Sequence, residues 1–123
     1  MDAIILAGGK GTRLKPLTDY IPKPLIPINN KPIIERQIRY LRKFGVDQII
    51  ICTGYKAGQI KDYLEKKTGF GSKIRFSIES KPLGTGGAIK KAAKLIRGDS
   101  FLVLNGDVIT NIDIKKMYKK KNP

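Results

Sequence analysis

Cysteine is almost absent from this 123-residue chain, acidic side chains are few, and no apolar run is long. The single Cys52 rules out an internal disulfide, and inside the apolar run QIIICT it reads as a small buried hydrophobe, which fits a reduced, intracellular compartment. The N-terminal MDAIILAGG has no basic n-region and only a short apolar stretch, so it does not read as a signal peptide. Nothing approaches the ~18 consecutive apolar residues that a membrane-spanning helix needs. A cytoplasmic location and no membrane partner are the expectation.

The scarcity of acid leaves 25 basic groups against 10 acidic ones, a net charge of +15. Such an excess invites a nucleic-acid reading, because phosphate backbones reward clustered Lys and Arg. The lysines, however, are spread over apparent helix faces and not gathered in one arm. That favours a solvated surface, or one that binds small polyphosphates, and no nucleic-acid partner is expected. With 41% hydrophobic and 28% charged residues the composition is that of an ordinary globular chain, and its length fits one domain, 1–123.

Ala3 to Ala7, bounded by Gly8 and Gly9, reads as a buried strand of a parallel sheet. A long loop follows to about Lys31, where Pro22, Pro24 and Pro27 forbid a regular helix, and Pro32 suits the first turn of the next one. Ile34, Ile38, Leu41 and Val46 recur near helical spacing, and Gly45 marks that helix's end. Gln48 to Thr53 predicts a second strand, and Ala57 to Lys67 an amphipathic helix with Ile60 and Leu64 inward. Lys73 to Glu79 alternates Ile74, Phe76 and Ile78 with polar residues, a strand period. A glycine-rich turn from Pro82 to Gly87, a helix from Ala88 to Ile96, a strand from Ser100 to Leu104 and a last helix from Ile114 to Lys120 complete the pattern. Alternating strands and helices with long connections predict an α/β fold, a Rossmann-like three-layer α/β/α arrangement with a mostly parallel sheet. Four strands and a final helix look like one half of such a doubly wound fold.

The segment Leu6-Ala7-Gly8-Gly9-Lys10-Gly11-Thr12-Arg13 leaves the first strand at its carboxyl end, where open α/β sheets bind ligands. Three glycines in four residues let backbone N–H groups approach phosphate oxygens, and Arg13, Lys10 and Lys23 add positive charge. The spacing is neither that of a Walker A loop nor that of a dinucleotide fingerprint, and glycine turns also serve as plain βα connections.

The stretch LAGGKGTRLKPLTDYIPKPLIPI resembles the signature of sugar-phosphate nucleotidylyltransferases, and GYKA, PLGTGGAI and LNGDVI match that family in order, over essentially the whole chain. The resemblance implies an enzyme forming a nucleotide-sugar and pyrophosphate from an NTP and a sugar-1-phosphate. It implies that Leu6, Ala7, Gly8 and Gly9 line the base and ribose, and that Gly11, Thr12 and Arg13 hold the β- and γ-phosphates. Lys23 would reach the α-phosphate, Glu79 and Gly84 would read the base edge with Pro82 beside them, and Asp107 would hold Mg²⁺. Arg13, Lys23 and Asp107 are thereby the expected catalytic residues. In-line displacement at phosphorus needs positioning and charge neutralisation, and Mg²⁺ is satisfied by one or two carboxylates and water. Each residue also has a plainer reading: Arg13 as a surface arginine over the loop, Asp107 as a turn or cap residue, Asn105 as turn chemistry.

Glu79 bears on the base. A carboxylate only accepts hydrogen bonds, and guanine presents two adjacent donors where uracil and thymine present one between carbonyls. GTP is therefore favoured, and PLGTGGAI resembles guanylyltransferases acting on mannose- or heptose-1-phosphate, of which mannose-1-phosphate is the favoured partner.

Members of this family are about twice as long, and their second half supplies the sugar pocket, a lysine for the sugar phosphate and a second metal carboxylate. The chain reads either as a piece of a longer protein or as a reduced homologue, with an exposed apolar patch and self-association as consequences. A non-catalytic nucleotide-binding or regulatory module of the same fold is the alternative. On this reading, the 123-residue chain incubated with GTP, mannose-1-phosphate and Mg²⁺ releases little or no pyrophosphate; robust turnover would refute it.

Overall fold

The computed structural model describes residues 1–8, 19–67, 69–70 and 73–106. Four strands, β1 (Asp2–Leu6), β4 (Gln48–Thr53), β5 (Lys73–Ile78) and β6 (Phe101–Asn105), form one sheet in which every pairing is parallel. A two-stranded ribbon, β2 (Pro27–Ile28) and β3 (Lys31–Pro32), precedes helix α1 (Ile33–Lys43). Helix α2 (Ala57–Glu65) links β4 to β5, and α3 (Gly84–Ala93) links β5 to β6.

Alternation along β1 and β4 builds both cores. Ala3, Ile5, Ala7, Ile49 and Ile51 face Ile34, Ile38 and Leu41 of α1 and Ile60 and Leu64 of α2. Ile4, Ile50 and Cys52 face the opposite way, onto Ala88 and Ala92 of α3. These central strands are apolar on both faces because both faces are covered, as parallel sheets require. The expected three-layer α/β/α arrangement is present.

The strand order is β5-β4-β1-β6. The chain steps outward from β1 to β4 to β5, then crosses back to lay β6 against the other edge of β1. This puts the reversal of strand order at the β1/β6 boundary, where ligand crevices open in such sheets.

Several element boundaries differ from expectation. Helix α3 begins at Gly84 and not at Ala88, within the stretch read as a turn. The poor helix propensity of Gly-Thr-Gly-Gly is overridden by packing of the first turn, since Gly87 passes so close to Leu83 that a Cβ there would lie 2.9 Å from Leu83 Cβ. The segment read as loop up to Lys31 holds a 3-10 turn at Lys23–Leu25 and the β2/β3 ribbon. Asn29 (φ 50°) and Asn30 (φ 69°) turn that ribbon in the primed conformation suited to two-residue hairpins. Arg36 clamps it, donating from Nε to the Ile28 carbonyl at 2.8 Å and from Nη2 to the Asn29 carbonyl at 2.9 Å. Pro32 is the residue before α1, extended at φ −57° and ψ 147°, and not its first turn. Gly45 ends α1 as expected, with Val46 N–H bonded to the Leu41 carbonyl and Gly45 N–H to that of Arg42. The expected helix from Ile114 to Lys120 lies outside the described residues.

Two buried carboxylates brace the fold. Glu35 of α1 accepts from Tyr63 Oη of α2 at 2.8 Å and from Arg39 Nε at 3.2 Å. Burial alone would push its carboxyl up, but these partners outweigh it and leave it below the usual range. Asp2 is 4% exposed at the amino end of the sheet. It receives Arg97 Nη2 at 2.9 Å, the Arg97 backbone N–H at 3.1 Å and Gln48 Nε2 at 2.8 Å. The Arg97 hydrogen bond, opposed by burial, holds this carboxyl below its ordinary value.

A carboxyl lowered in the folded state stabilises above its unfolded pKa of about 3.9, and that contribution is lost as pH falls through the folded value. Asp2→Asn is expected to reduce stability by about 1–3 kcal/mol at pH 7, the scale of hydrogen bonds to a charged group. In urea titrations the gap between the two proteins should begin to close below about pH 4; a gap constant down to pH 2.5 would contradict the assignment.

Candidate functional site

At the carboxyl edge of the sheet a cleft of about 300 Å³ opens between β1, β4, the end of β5 and the first turn of α3. Leu6, Gly8, Glu79, Pro82 and Gly84 line it, five of the residues expected to meet a nucleotide. Cys52, Leu83, Thr85, Ala88 and Asn105 complete the lining.

Glu79 follows β5 directly, and its backbone N–H donates to the Thr53 carbonyl at 2.8 Å, which extends the sheet by one rung. Its Oε2 accepts from the Leu83 backbone N–H at 3.4 Å. A Cβ on Gly8 would stand 3.6 Å from the same oxygen, an ordinary contact. The carboxylate thus stands beside Gly8, and the two line the same cleft. Gly84 opens α3 at φ +72°, a conformation that side-chain-bearing residues rarely adopt. Leu83 before it is 44% exposed, an apolar side chain at the mouth of the cleft.

Cys52 lies at the cleft floor, and its Sγ donates to the Ala88 carbonyl at 3.7 Å. Burial, reinforced by the negative charge of Glu79, pushes its thiol up to about 11. It is therefore a neutral packing group and no nucleophile.

Backbone joins the end of β1 to both neighbours: Ala7 N–H donates to the Cys52 carbonyl of β4 at 2.7 Å, and Gly106 N–H, just after β6, donates to the Leu6 carbonyl at 2.7 Å. A Cβ on Gly106 would fall 2.6 Å from the Leu6 oxygen and 3.1 Å from Ala7 Cα, closer than atoms tolerate. Only glycine allows the segment before Asp107 to lie against the start of the glycine loop. Gln37 Nε2 of α1 donates to the Asn105 carbonyl at 2.7 Å.

Ala7 is buried behind the cleft and does not line it. Lys23 is half-buried on the 3-10 turn, whose Leu25 N–H bonds the Pro22 carbonyl at 2.9 Å, and it too is outside the lining. Gly9, Gly11, Thr12, Arg13 and Asp107 lie outside the described residues. Leu83 and Thr85 were missed because Pro82 to Gly87 was read as a turn, Ala88 because the helix was read as starting there, and Cys52 because it reads as a buried strand residue. Starting α3 at Gly84 would have put Thr85 and Ala88 on one helical face toward the cleft. Among the described residues no group of three or more His, Cys, Asp or Glu could hold a metal ion, and no helix is long and apolar enough to cross a membrane.

The family model described as "Nucleotidyl transferase" matches residues 2–123. The chain is 49% identical over 117 residues to the D-glycero-alpha-D-manno-heptose 1-phosphate guanylyltransferase of Campylobacter jejuni, covering 95% of this chain and 52% of that protein. It is 42% identical over 120 residues to the mannose-1-phosphate guanyltransferase 2 of Candida glabrata, covering 95% of this chain and 33% of that protein. The crystal structure of HddC from Yersinia pseudotuberculosis complexed with GMP-PN superposes with a TM-score of 0.90 at 46% identity, covering 98% of this chain and 54% of that one. The chain thus spans about half the length of the heptose relative it matches.

Gly106→Ala is expected to lower stability by about 1–3 kcal/mol, because the clash is with backbone that cannot swing aside. Thermal unfolding of the two proteins measures it; an unchanged melting temperature would mean the β1/β6 junction is looser than described.

Proposed function

The chain belongs to the nucleotidyl transferase family, and on that premise we propose that its cleft binds GTP for transfer of the guanylyl group to a sugar-1-phosphate. The observation that carries this reading is the Glu79 carboxylate beside Gly8 in the lining of a cleft at the carboxyl edge of the sheet. A carboxylate there accepts both N1–H and N2–H of guanine, whereas it faces a carbonyl on either side of the single uracil donor. The exposed apolar Leu83 and the half-buried Leu6 offer surfaces for the base and ribose. The relatives' names make heptose-1-phosphate as suitable an acceptor as the mannose-1-phosphate favoured by the sequence, and both are manno-configured sugars.

In the proposed reaction a sugar-phosphate oxygen attacks the α-phosphorus in line and pyrophosphate leaves. Arg13 stabilises charge on the departing phosphates and Lys23 the equatorial oxygens, acting by position and charge and not as nucleophiles. The backbone of Lys23 is prepared for this by buried Pro22 and Pro24 on either side of it.

The residues fit a divalent cation of a particular kind. A self-contained metal centre would need several ligands, which the described residues do not gather. A cation held largely by phosphate oxygens and water needs one or two hard carboxylates. Asp107 follows Gly106 in the chain, and Gly106 itself lies against Leu6 and Ala7 at the end of β1. Asp107 would hold Mg²⁺ there, and the cation when bound supplies charge neutralisation on the phosphates.

Titration calorimetry with GTP, ATP and UTP tests the base assignment. Glu79→Gln is expected to weaken GTP by about 10- to 100-fold, the scale of charge-assisted hydrogen bonds, while ATP and UTP change little. Equal losses for all three would reduce Glu79 to a brace for Leu83 and remove the base-reading role.

A further inference from the structure

The peptide that joins Ile78 to Glu79 is held at both ends, although it stands at an open edge of the sheet. Among the described residues β5 is the outermost strand on its side. In a trans peptide the N–H and the C=O point opposite ways. The Glu79 N–H turns inward and donates to the Thr53 carbonyl of β4 at 2.8 Å. The Ile78 carbonyl therefore turns outward, where no described strand offers a donor. Lys91 of α3 supplies one, its Nζ donating to the Ile78 carbonyl. Helix geometry explains the reach. α3 starts at the cleft with Gly84 and runs back along the sheet, until the Leu95 carbonyl just past its end meets Gln48 Nε2 at the amino edge. Lys91 lies about two turns after Gly84, and helical side chains lean back toward the N-terminus, here toward the end of β5. The carbonyl of Glu79 itself is confined from the other side. A Cβ on Gly54 would come within 3.0 Å of its oxygen, so β4's extension packs closely on it.

We propose that Lys91 is a specificity-determining positioning residue: by holding the Ile78 carbonyl it fixes the peptide from which the Glu79 side chain springs, and so sets where that carboxylate meets guanine. The inference rests on the reading of Glu79 as the acceptor for the base. That reading makes an angular demand, because a carboxylate taking two adjacent N–H donors must present itself to both at once, at about 2.9 Å. A peptide held only through its N–H can tilt about that one bond. The tilt is magnified along the side chain that follows. Lys91 removes this freedom at the edge where the sheet cannot. An ammonium is well suited to the place, since it brings donors, has no acceptor to satisfy and stays in contact with water. Lys91 is exposed, so its loss costs the fold little and is read in nucleotide selectivity before stability. A plain attraction of its charge for phosphates would act on every nucleotide alike, and that difference separates the two roles.

The test measures affinity for GTP, ATP and UTP by titration calorimetry in the unsubstituted chain and in Lys91→Met, Lys91→Arg and Glu79→Gln. Lys91→Met keeps the apolar stem and loses the donor. It is expected to weaken GTP by about five- to tenfold, with ATP and UTP within about twofold and the melting temperature within about 2 °C. Lys91→Arg keeps a donor and should hold GTP within about twofold of the unsubstituted chain. In a Glu79→Gln background, Lys91→Met should cost GTP less than about twofold more, as expected of residues acting through one another. Equal losses for the three nucleotides would make Lys91 a phosphate-attracting charge and overturn the proposal. Unchanged GTP affinity, a larger fall in melting temperature, a loss in Lys91→Arg equal to that in Lys91→Met, or full additivity with Glu79→Gln would overturn it too. Failure of the premise looks different. Equal losses for all three nucleotides in Glu79→Gln remove the base reading and the positioning role together. A selective loss in Glu79→Gln with none in Lys91→Met leaves the base reading intact and removes Lys91 alone.

Discussion

Strand β1 is gripped on both edges, and the rest of the molecule depends on that grip. It pairs from Asp2 to Leu6 with Gln48 to Cys52 on one side and with Phe101 to Asn105 on the other. Because the pairings are parallel, the carboxyl ends of β1, β4 and β6 finish at one edge. Because strand order reverses beside β1, the helices that follow and precede its neighbours fall on opposite faces, and the space between is not filled by either. The cleft is the geometrical residue of that arrangement. Leu6, Gly8, Glu79 and the start of α3 have only to surround it.

The sheet has two ends with different work. At the amino end the buried Asp2 gathers Gln48 and the solvent-facing Arg97 into a hydrogen-bonded group that ties β1, β4 and the approach to β6 together. At the carboxyl end hydrogen bonds are made by backbone, side chains are small, and a carboxylate stands at the wall of a cleft. Even Cys52, the chain's single thiol, is held neutral there by burial, so the floor of the cleft is chemically quiet.

Much of this was legible in the residues. The runs AIILA and QIIICT could only be buried strands, and Ile34, Ile38 and Leu41 could only be the inner stripe of a helix. The resemblance implied Glu79 at the base edge, and the structure sets its carboxylate beside Gly8 in the cleft lining. What escaped was whatever depended on close approach between distant segments. Gly84 to Gly87 look like a turn to any local rule, and they form a helix because Leu83 folds back over Gly87. Gln37 looks like a polar residue on an amphipathic helix, and nothing within several residues of it hints at a partner at Asn105. Arg36 likewise gives no local sign that it clamps the Asn29-Asn30 turn. Periodicity sees which face a residue occupies and is blind to what it meets there.

The clamp on the Asn105–Gly106 peptide also bears on the order in which the molecule can assemble. Gln37 and Asn105 are separated by 68 positions, and Leu6 reaches Gly106 from near the opposite end of the described chain. Contacts of such span are made only after long loops have been closed, and their entropy cost falls before any reward is collected. The junction at the end of β1 needs β1, α1 and β6 to be in place at once. The cleft is therefore a late product of folding, and a chain that has it has finished.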